Sequence, residues 1–423
     1  MIYGALFIHL CLTFSNYLVS RSLAYPPLIF TSLWSTILLL LIFSGDFFYA
    51  ISELTLLIFI LGSVAFSIGG LIGLSFKRRV VFATNTPSQW PNKVLDTSIL
   101  IAVIVFPFYV QQLRGLSAAS GGDSFWTGIR SQTSNDLDAN SGFGITSYLI
   151  AWICFSAQAA WLQSMRSNYH RYKVYLLIAL ALAYTFLTMT RTSTFVLLLP
   201  FIGMSLILGT MKLKKFLIMG ISLIALFVVT GLVLGKGANV EDTGAAIAKS
   251  MKESCQVYLL GGAVAFDQFV TGPIEAPSGS TLFLFFVKLS NRFGFENQIN
   301  SAIQEYVLTP HPTNVYTIYF LYYKELGLLG LAVTMCVLGF IFSLLYRMAK
   351  SGRPSCIVLY GLGICMLLQS FFGEAFITAL SYWLQAGLFT IVLYGVPWLI
   401  SSIGIEKNRG LARNSVAGEL RRD

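Results

Sequence analysis

Residues 54–74 read LTLLIFILGSVAFSIGGLIGL, 21 positions without a charge, and Lys77-Arg78-Arg79 follow shortly after. A hydrocarbon core about 30 Å thick is crossed by roughly 20 apolar residues in a helix, so this one segment already asks for a bilayer. A barrel strand would alternate polar and apolar side chains over about 10 residues, which this run does not do. Ten further stretches approach the same length: 3–19, 26–44, 97–112, 145–164, 174–190, 194–210, 216–234, 326–346, 355–372 and 379–400. The first has neither a basic leader nor a small-residue cleavage site, and is expected to be a retained span. Composition agrees, with 56% of the 423 residues apolar and 11% charged, where soluble chains carry about 25% charge. That excludes a water-soluble multidomain enzyme and a disordered or fibrous chain. The expected fold is an all-α polytopic membrane protein of 11 transmembrane helices, with residues 1–423 as a single integral membrane domain.

The formal charge of +10 suggests a nucleic-acid binder until it is divided by side. Taken alternately, one set of connections carries 19 Lys and Arg and 4 acids, a net +15. The other carries 9 basic and 14 acidic residues, a net −5. Positive loops stay cytoplasmic, which places the N-terminus outside and the C-terminus inside. The basic tail, 403–423, is then a cytoplasmic segment, solvated or lying on lipid. No aromatic-interleaved binding fold accompanies it, so no nucleic-acid partner is expected. Six cysteines stand singly, mostly inside the apolar stretches, and behave as small apolar residues. There is no CxxC, HExxH or histidine cluster, so neither a metal nor another cofactor is expected. His9, His170 and His311 are too scattered to act together.

Two outward segments, 113–144 and 235–325, are longer than a connection requires, and such loops usually carry function. Within the second, Thr281–Leu289 (TLFLFFVKL) is half a span long and predicts a re-entrant or interfacial helix. Asn314–Tyr323 (NVYTIYFLYY) predicts an aromatic belt at the membrane surface, or a helix lying on it.

Candidate chemistry follows from the few charges on this acidic side. Arg191 sits in Thr190-Arg191-Thr192-Ser193 between two apolar runs. An ionisable group at membrane depth is a functional candidate, and a guanidinium beside hydroxyls suits a diphosphate; the plainer reading is an arginine snorkelling to headgroups. Arg114 and Arg130 can hold phosphate, or pair with Asp123, Asp136 or Asp138. Arg292 follows the short apolar segment and can reach a membrane-level cavity or merely headgroups. His311 stands between two prolines that stiffen its backbone. A neutral imidazole there can take a proton from a sugar hydroxyl, though a lone loop histidine is often only polar. Glu325, at the mouth of a span, is a candidate base or a simple partner of Lys324. Glu374 is the sole charge in an apolar connection and calls for a partner such as one of the arginines. Glu241, Asp242, Glu253 and Asp267 read as solvated loop charges.

Three motifs then carry a family resemblance: Tyr25-Pro26-Pro27-Leu28-Ile29-Phe30 entering the second span, the Thr-Arg-Thr-Ser corner, and the block Thr313-Asn314-Val315-Tyr316-Thr317 followed by Tyr322 to Gly330 (YYKELGLLG). With the number of spans and the large late loop, the chain resembles the Wzy family of O-antigen polymerases along its whole length. The resemblance implies a metal-independent glycosyltransferase of the polytopic GT-C type in a Gram-negative inner membrane, its long loops periplasmic. Its substrates would be undecaprenyl-diphosphate-linked oligosaccharides, with surrounding membrane lipid and a Wzz-type chain-length regulator as partners. On that reading Arg191 and Arg292 bind the donor diphosphate and Arg114 or Arg130 the acceptor carrier. His311, with Glu325 or Glu374 as alternates, would deprotonate the acceptor hydroxyl. The competing readings are an O-antigen ligase and a non-enzymatic flippase or exporter of lipid-linked sugars. Nearly charge-free spans and the absence of internal repeats speak against the last.

Overall fold

The computed structural model describes residues 1–76, 92–119, 125–126, 128–129, 144–166, 170–188, 190–211, 214, 218, 244–272, 280–297 and 304–395. Arg130, nearly all of the expected span 216–234, most of the first outward loop and the tail 403–423 lie outside them. The helices are α1 (Ile2–Ser20), α2 (Pro26–Phe43), α3 (Glu53–Ser75), α4 (Asn92–Ala119), α5 (Ile145–Arg166), α6 (Arg171–Leu187), α7 (Arg191–Ile207), α8 (Gly244–Thr271), α9 (Leu284–Arg292), α10 (Ile318–Lys350), α11 (Pro354–Leu368) and α12 (Leu380–Thr390). Their starts are written locally. Pro26 and Pro354 stand at first helical positions, where a missing N–H costs nothing, and the Ser52 side chain caps α3 by accepting from the Thr55 amide. The one sheet among the described residues is a hairpin of β1 (Val307–Leu308) and β2 (Pro312–Thr313).

Among the described helices, α1 to α5 and α10 are long and apolar enough to cross a membrane, and α7, α11 and α12 are shorter apolar helices. The chain is an all-α, polytopic membrane protein. Its centre is the pair α3 and α10, which run parallel: Gly62 faces Tyr319, Gly69 faces Cys336 and Gly73 faces Phe340. A Cβ on Gly69 would stand 1.8 Å from the Cys336 carbonyl oxygen, and one on Gly339 would stand 2.0 Å from that of Phe66. Small residues four apart, Gly69/Gly73 and Gly339/Ser343, let the two backbones touch. Lipid tails are as apolar as leucine, so such dispersion contact, and not water exclusion, holds membrane helices together. The antiparallel pair α7 and α11 repeats the device, with Gly203 against Gly361.

The α1 helix is attached in a different way. Only Ala5, His9 and Asn16 are buried, while most of its apolar side chains face outward. His9 donates from Nδ1 to the Ala5 carbonyl (2.9 Å), which leaves Nε2 to accept from the Ser63 hydroxyl at 3.0 Å. Ser63 in turn meets the Tyr319 hydroxyl at 3.3 Å, and Asn16 donates to Ser67 at 3.0 Å. A polar stripe turned inward satisfies groups that hydrocarbon would strand.

Three sequence expectations change here. Part of the second outward segment is α8, a 28-residue helix, whose Leu260, Ala263, Val264, Ala265 and Phe266 are buried. Asp267, expected to be solvated, is buried by that packing and accepts from the Ser52 amide (2.8 Å) and hydroxyl (2.5 Å). The aromatic stretch expected at the membrane surface lies inside the protein, with Tyr319 and Tyr322 fully buried. Its rings fill the space between α3 and α8: Tyr319 lies 5.3 Å from Phe59 and 6.4 Å from Phe266.

Because the α3–α10 contact leaves no room for a side chain, Gly69→Val is expected to cost at least the ~1–3 kcal/mol of ordinary overpacking. The thermal midpoint of the detergent-purified protein should fall by several degrees, while Ile72→Val, on an exposed position of the same helix, should leave it unchanged.

Candidate functional site

At one end of the bundle two of the carboxylates named from sequence, Glu325 and Glu374, meet the start of α10. This helix is two pieces: Gly327 takes φ 68° and ψ −173°, a backbone region open to glycine, and separates 318–326 from the long membrane-crossing part. The short outer piece is held on several sides. Its first amide, on Ile318, donates to the Ser370 carbonyl (2.8 Å), and the Tyr316 ring just before it stacks on Phe320 at 4.1 Å. Burial, with Glu305 alongside, pushes the Tyr316 hydroxyl up to about 12, so it stays protonated and donates to the Glu305 carbonyl.

Glu325 lies on this piece with both carboxylate oxygens occupied. One accepts from the Thr281 and Leu282 amides, each at 2.8 Å, and the other from the Ser280 hydroxyl at 2.5 Å. Those donors lead directly into α9, so a carboxylate meets the positive end of that helix. Lys324, the neighbour that sequence offered as its partner, lies instead over the Phe320 ring, 5.2 Å from its centre. One turn earlier, Tyr322 donates to Glu374 at 2.8 Å. Glu374 also accepts from the amides of Phe376 (2.6 Å), Ile377 (2.8 Å) and Thr378 (2.8 Å). Its partners are thus its own loop and a tyrosine, where an arginine was expected. Both carboxylates are tied to the same short helix and both are saturated with donors.

The helix α9 forms where the half-span was read. Phe283, Phe286, Leu289 and Phe293 are exposed and fall on one face, and Leu284 is buried on another. Lys288 and Arg292, four apart, share a third face. This is the pattern of a helix lying at a membrane surface. Arg292, its last residue, is exposed and makes no hydrogen bond or ion pair among the described residues.

The remaining candidates are dispersed. His311 is at the tip of the β1–β2 hairpin, where Thr309 donates to its carbonyl from both amide and hydroxyl at 2.9 Å. Its ring stacks on Phe47 at 5.0 Å, and among the described residues neither imidazole nitrogen is hydrogen-bonded. Arg114 is exposed near the end of α4 and makes no polar contact within the described residues; Asp123, Asp136 and Asp138 lie outside them. Arg191 is the first residue of α7, preceded by Thr190, whose hydroxyl joins those of Thr188 (2.8 Å) and Ser193 (2.5 Å). A cation at a helix N-terminus opposes the helix dipole by about 0.3–1 kcal/mol, a cost that a bound anion would reverse. No hydrogen bond or ion pair among the described residues joins His311 or Arg114 to the Glu325–Glu374 cluster. Among the described residues, no group of three potential ligands could hold a metal ion.

Sequence reading passed over Ser280, gave Tyr322 no role and took Asp267 for a solvated charge. The partners of the last two are 52 and 215 residues away. The only local sign of Ser280 is its place shortly before an apolar helix, where hydroxyls gather.

Cutting Glu325 to alanine removes three charge-assisted hydrogen bonds, each worth roughly 1.5–3 kcal/mol. Glu325→Ala should therefore raise amide hydrogen exchange at Thr281 and Leu282 at least tenfold while leaving the α3–α10 amides protected. Unchanged exchange at those two amides would show that α9 is held by something else.

Comparison with known proteins adds one likeness. No family model matches the chain, and no solved structure does. Over 362 residues, 85% of this chain and 88% of the other, it is 24% identical to a Shigella dysenteriae protein named O-antigen polymerase.

Proposed function

We propose that this chain is an O-antigen polymerase of the Wzy kind. It transfers a growing glycan from undecaprenyl diphosphate to the non-reducing end of a new carrier-linked repeat unit, on the outward face of a bacterial inner membrane. The observation that carries this reading is the likeness to an O-antigen polymerase over 85% of the chain. The helices long and apolar enough to cross a membrane and the exposed Arg114 and Arg292 support it. Both substrates are lipid-linked diphosphates, so the reaction needs cations at headgroup depth and energy from the diphosphate ester. A metal and a nucleotide are not required.

In this scheme the acceptor hydroxyl oxygen attacks the anomeric carbon of the donor glycan. The bond from that carbon to the diphosphate oxygen breaks, its electron pair leaves with the carrier diphosphate, and the hydroxyl proton passes to a base. His311 suits that last task best of the three candidates, since its ring nitrogens are uncommitted. Glu325 and Glu374 are positioning residues: they fix the outer piece of α10 and the approach to α9. Arg292 and Arg191 stabilise charge on the leaving diphosphate, with Arg191 at a helix N-terminus that favours an anion. Arg114 or Arg130 holds the acceptor carrier. The architecture is of the GT-C type, the N-terminus is outside, the C-terminus is inside, and a Wzz-type regulator sets the chain length.

The test is reconstitution of the purified chain with synthetic undecaprenyl-diphosphate repeat units in EDTA. A ladder of polymers is expected. His311→Ala should slow its formation by ~10²–10⁴-fold and Arg191→Ala by ~10²–10³-fold. If EDTA abolishes the ladder, or if both variants polymerise normally, the assignment of roles falls. In cells, loss of the protein should leave lipid A core bearing a single repeat unit; core bearing no glycan would indicate a ligase instead.

A further inference from the structure

At the opposite end of the α3–α10 pair lies a cleft of about 390 Å³, lined by Val19, Ser20, Leu74, Tyr346, Arg347, Lys350 and Ser351. Its walls come from the last turns of α1, α3 and α10, three helices able to cross a membrane. Two cations one turn apart face it, and the hydroxyls of Ser20, Tyr346 and Ser351 complete the polar part. No carboxylate contributes to its lining.

Both cations are pre-positioned and only partly used. One terminal nitrogen of Arg347, Nη1, donates to the carbonyls of Gly73 and Phe76, which closes the end of α3. Nη2 and Nε make no hydrogen bond among the described residues. Lys350 donates to the Tyr346 hydroxyl at 3.2 Å and sits 5.6 Å from the centre of that ring, which leaves two ammonium hydrogens for another acceptor. The plain account is that these cations offset the negative ends of three helices. That account explains the Arg347 contacts to α3. It does not explain a lysine turned to its own tyrosine at the rim of a cleft.

We infer that this cleft binds the phosphate of an anionic phospholipid headgroup, with Arg347 and Lys350 as the donors, since the Ser20 and Ser351 hydroxyls already donate to the Asn16 and Met348 carbonyls. A lipid phosphate fits better than a soluble anion because the remaining walls, Val19, Leu74 and the Tyr346 ring, are apolar and Val19 is half exposed on α1. The cleft therefore offers a polar floor for a headgroup at the level where acyl chains begin. Basic pockets between helices on the positively charged side of a membrane protein are where such headgroups dock.

The experiment is native mass spectrometry of the full-length detergent-purified chain titrated with phosphatidylglycerol, with phosphatidylcholine of the same acyl chains as control. One phosphatidylglycerol is expected to stay bound at collision energies that strip phosphatidylcholine. Lys350→Gln, an exposed position, should weaken that binding about fivefold, and Lys350→Arg should restore it. Arg347→Lys keeps the charge but loses the fork, and should weaken it less than Arg347→Gln. Equal retention of both lipids, or a Lys350→Gln protein that binds as well as the parent, overturns the proposal. Displacement of the lipid by millimolar inorganic phosphate would assign the cleft to a soluble anion and overturn the lipid assignment.

Discussion

Backbone contact between α3 and α10 is the constraint on which both ends of the molecule depend. Glycines at 62, 69, 73 and 339 bring the two helices within carbonyl distance, and such a contact permits one register and little sliding. That register puts Tyr319 against Ser63 at one end and Arg347 against the last carbonyls of α3 at the other. From Tyr319 the helix continues to Tyr322 and Glu325, so the loop-bearing end inherits its geometry from a seam near the middle of the bundle. Gly327 releases the outer piece from the axis of the membrane-crossing piece. Without that break, Glu325 would continue the line of the span and could not reach the amides at 281 and 282.

The charges at the loop-bearing end divide into committed and uncommitted groups. Asp267, Glu325 and Glu374 each accept at least two hydrogen bonds and hold the start of α3, the approach to α9 and the turn after α11. Arg114, Arg292 and the His311 ring make no hydrogen bond among the described residues. An acidic framework with cations left over is electrostatically suited to a ligand that supplies its own negative charge, as a lipid diphosphate does.

Hydropathy made most of the helices legible, because a run such as 54–74 has one stable solution in a bilayer. It failed at α8, whose first half carries Lys249, Lys252 and Glu253 and whose second half interrupts its apolar residues with Gly261, Gly262, Asp267 and Gln268. No window there is apolar enough to signal a span, yet the small residues pack closely enough to bury Asp267. The aromatic stretch 314–323 misled for a related reason: tyrosine suits both a membrane surface and a protein interior that supplies a partner for its hydroxyl, and composition does not separate the two. At the candidate site, sequence identified Glu325 and Glu374 as unusual carboxylates but not what they do. Ser280 is 45 residues from Glu325, and Tyr322 is 52 from Glu374. Local pattern reports an odd charge; only the fold reports its partner.

The inward polar stripe of α1 has a consequence for how the chain is made. Ser63, which receives His9, is synthesised 54 residues later, a delay of about 3–10 s at ordinary elongation rates. Through that interval His9 keeps only its Ala5 contact and Asn16 only the longer one to Thr31 of α2. The polar face of α1 is therefore completed only once α3 has been made. Substitutions in Ser63 or Ser67 would leave part of that face of α1 without its partner.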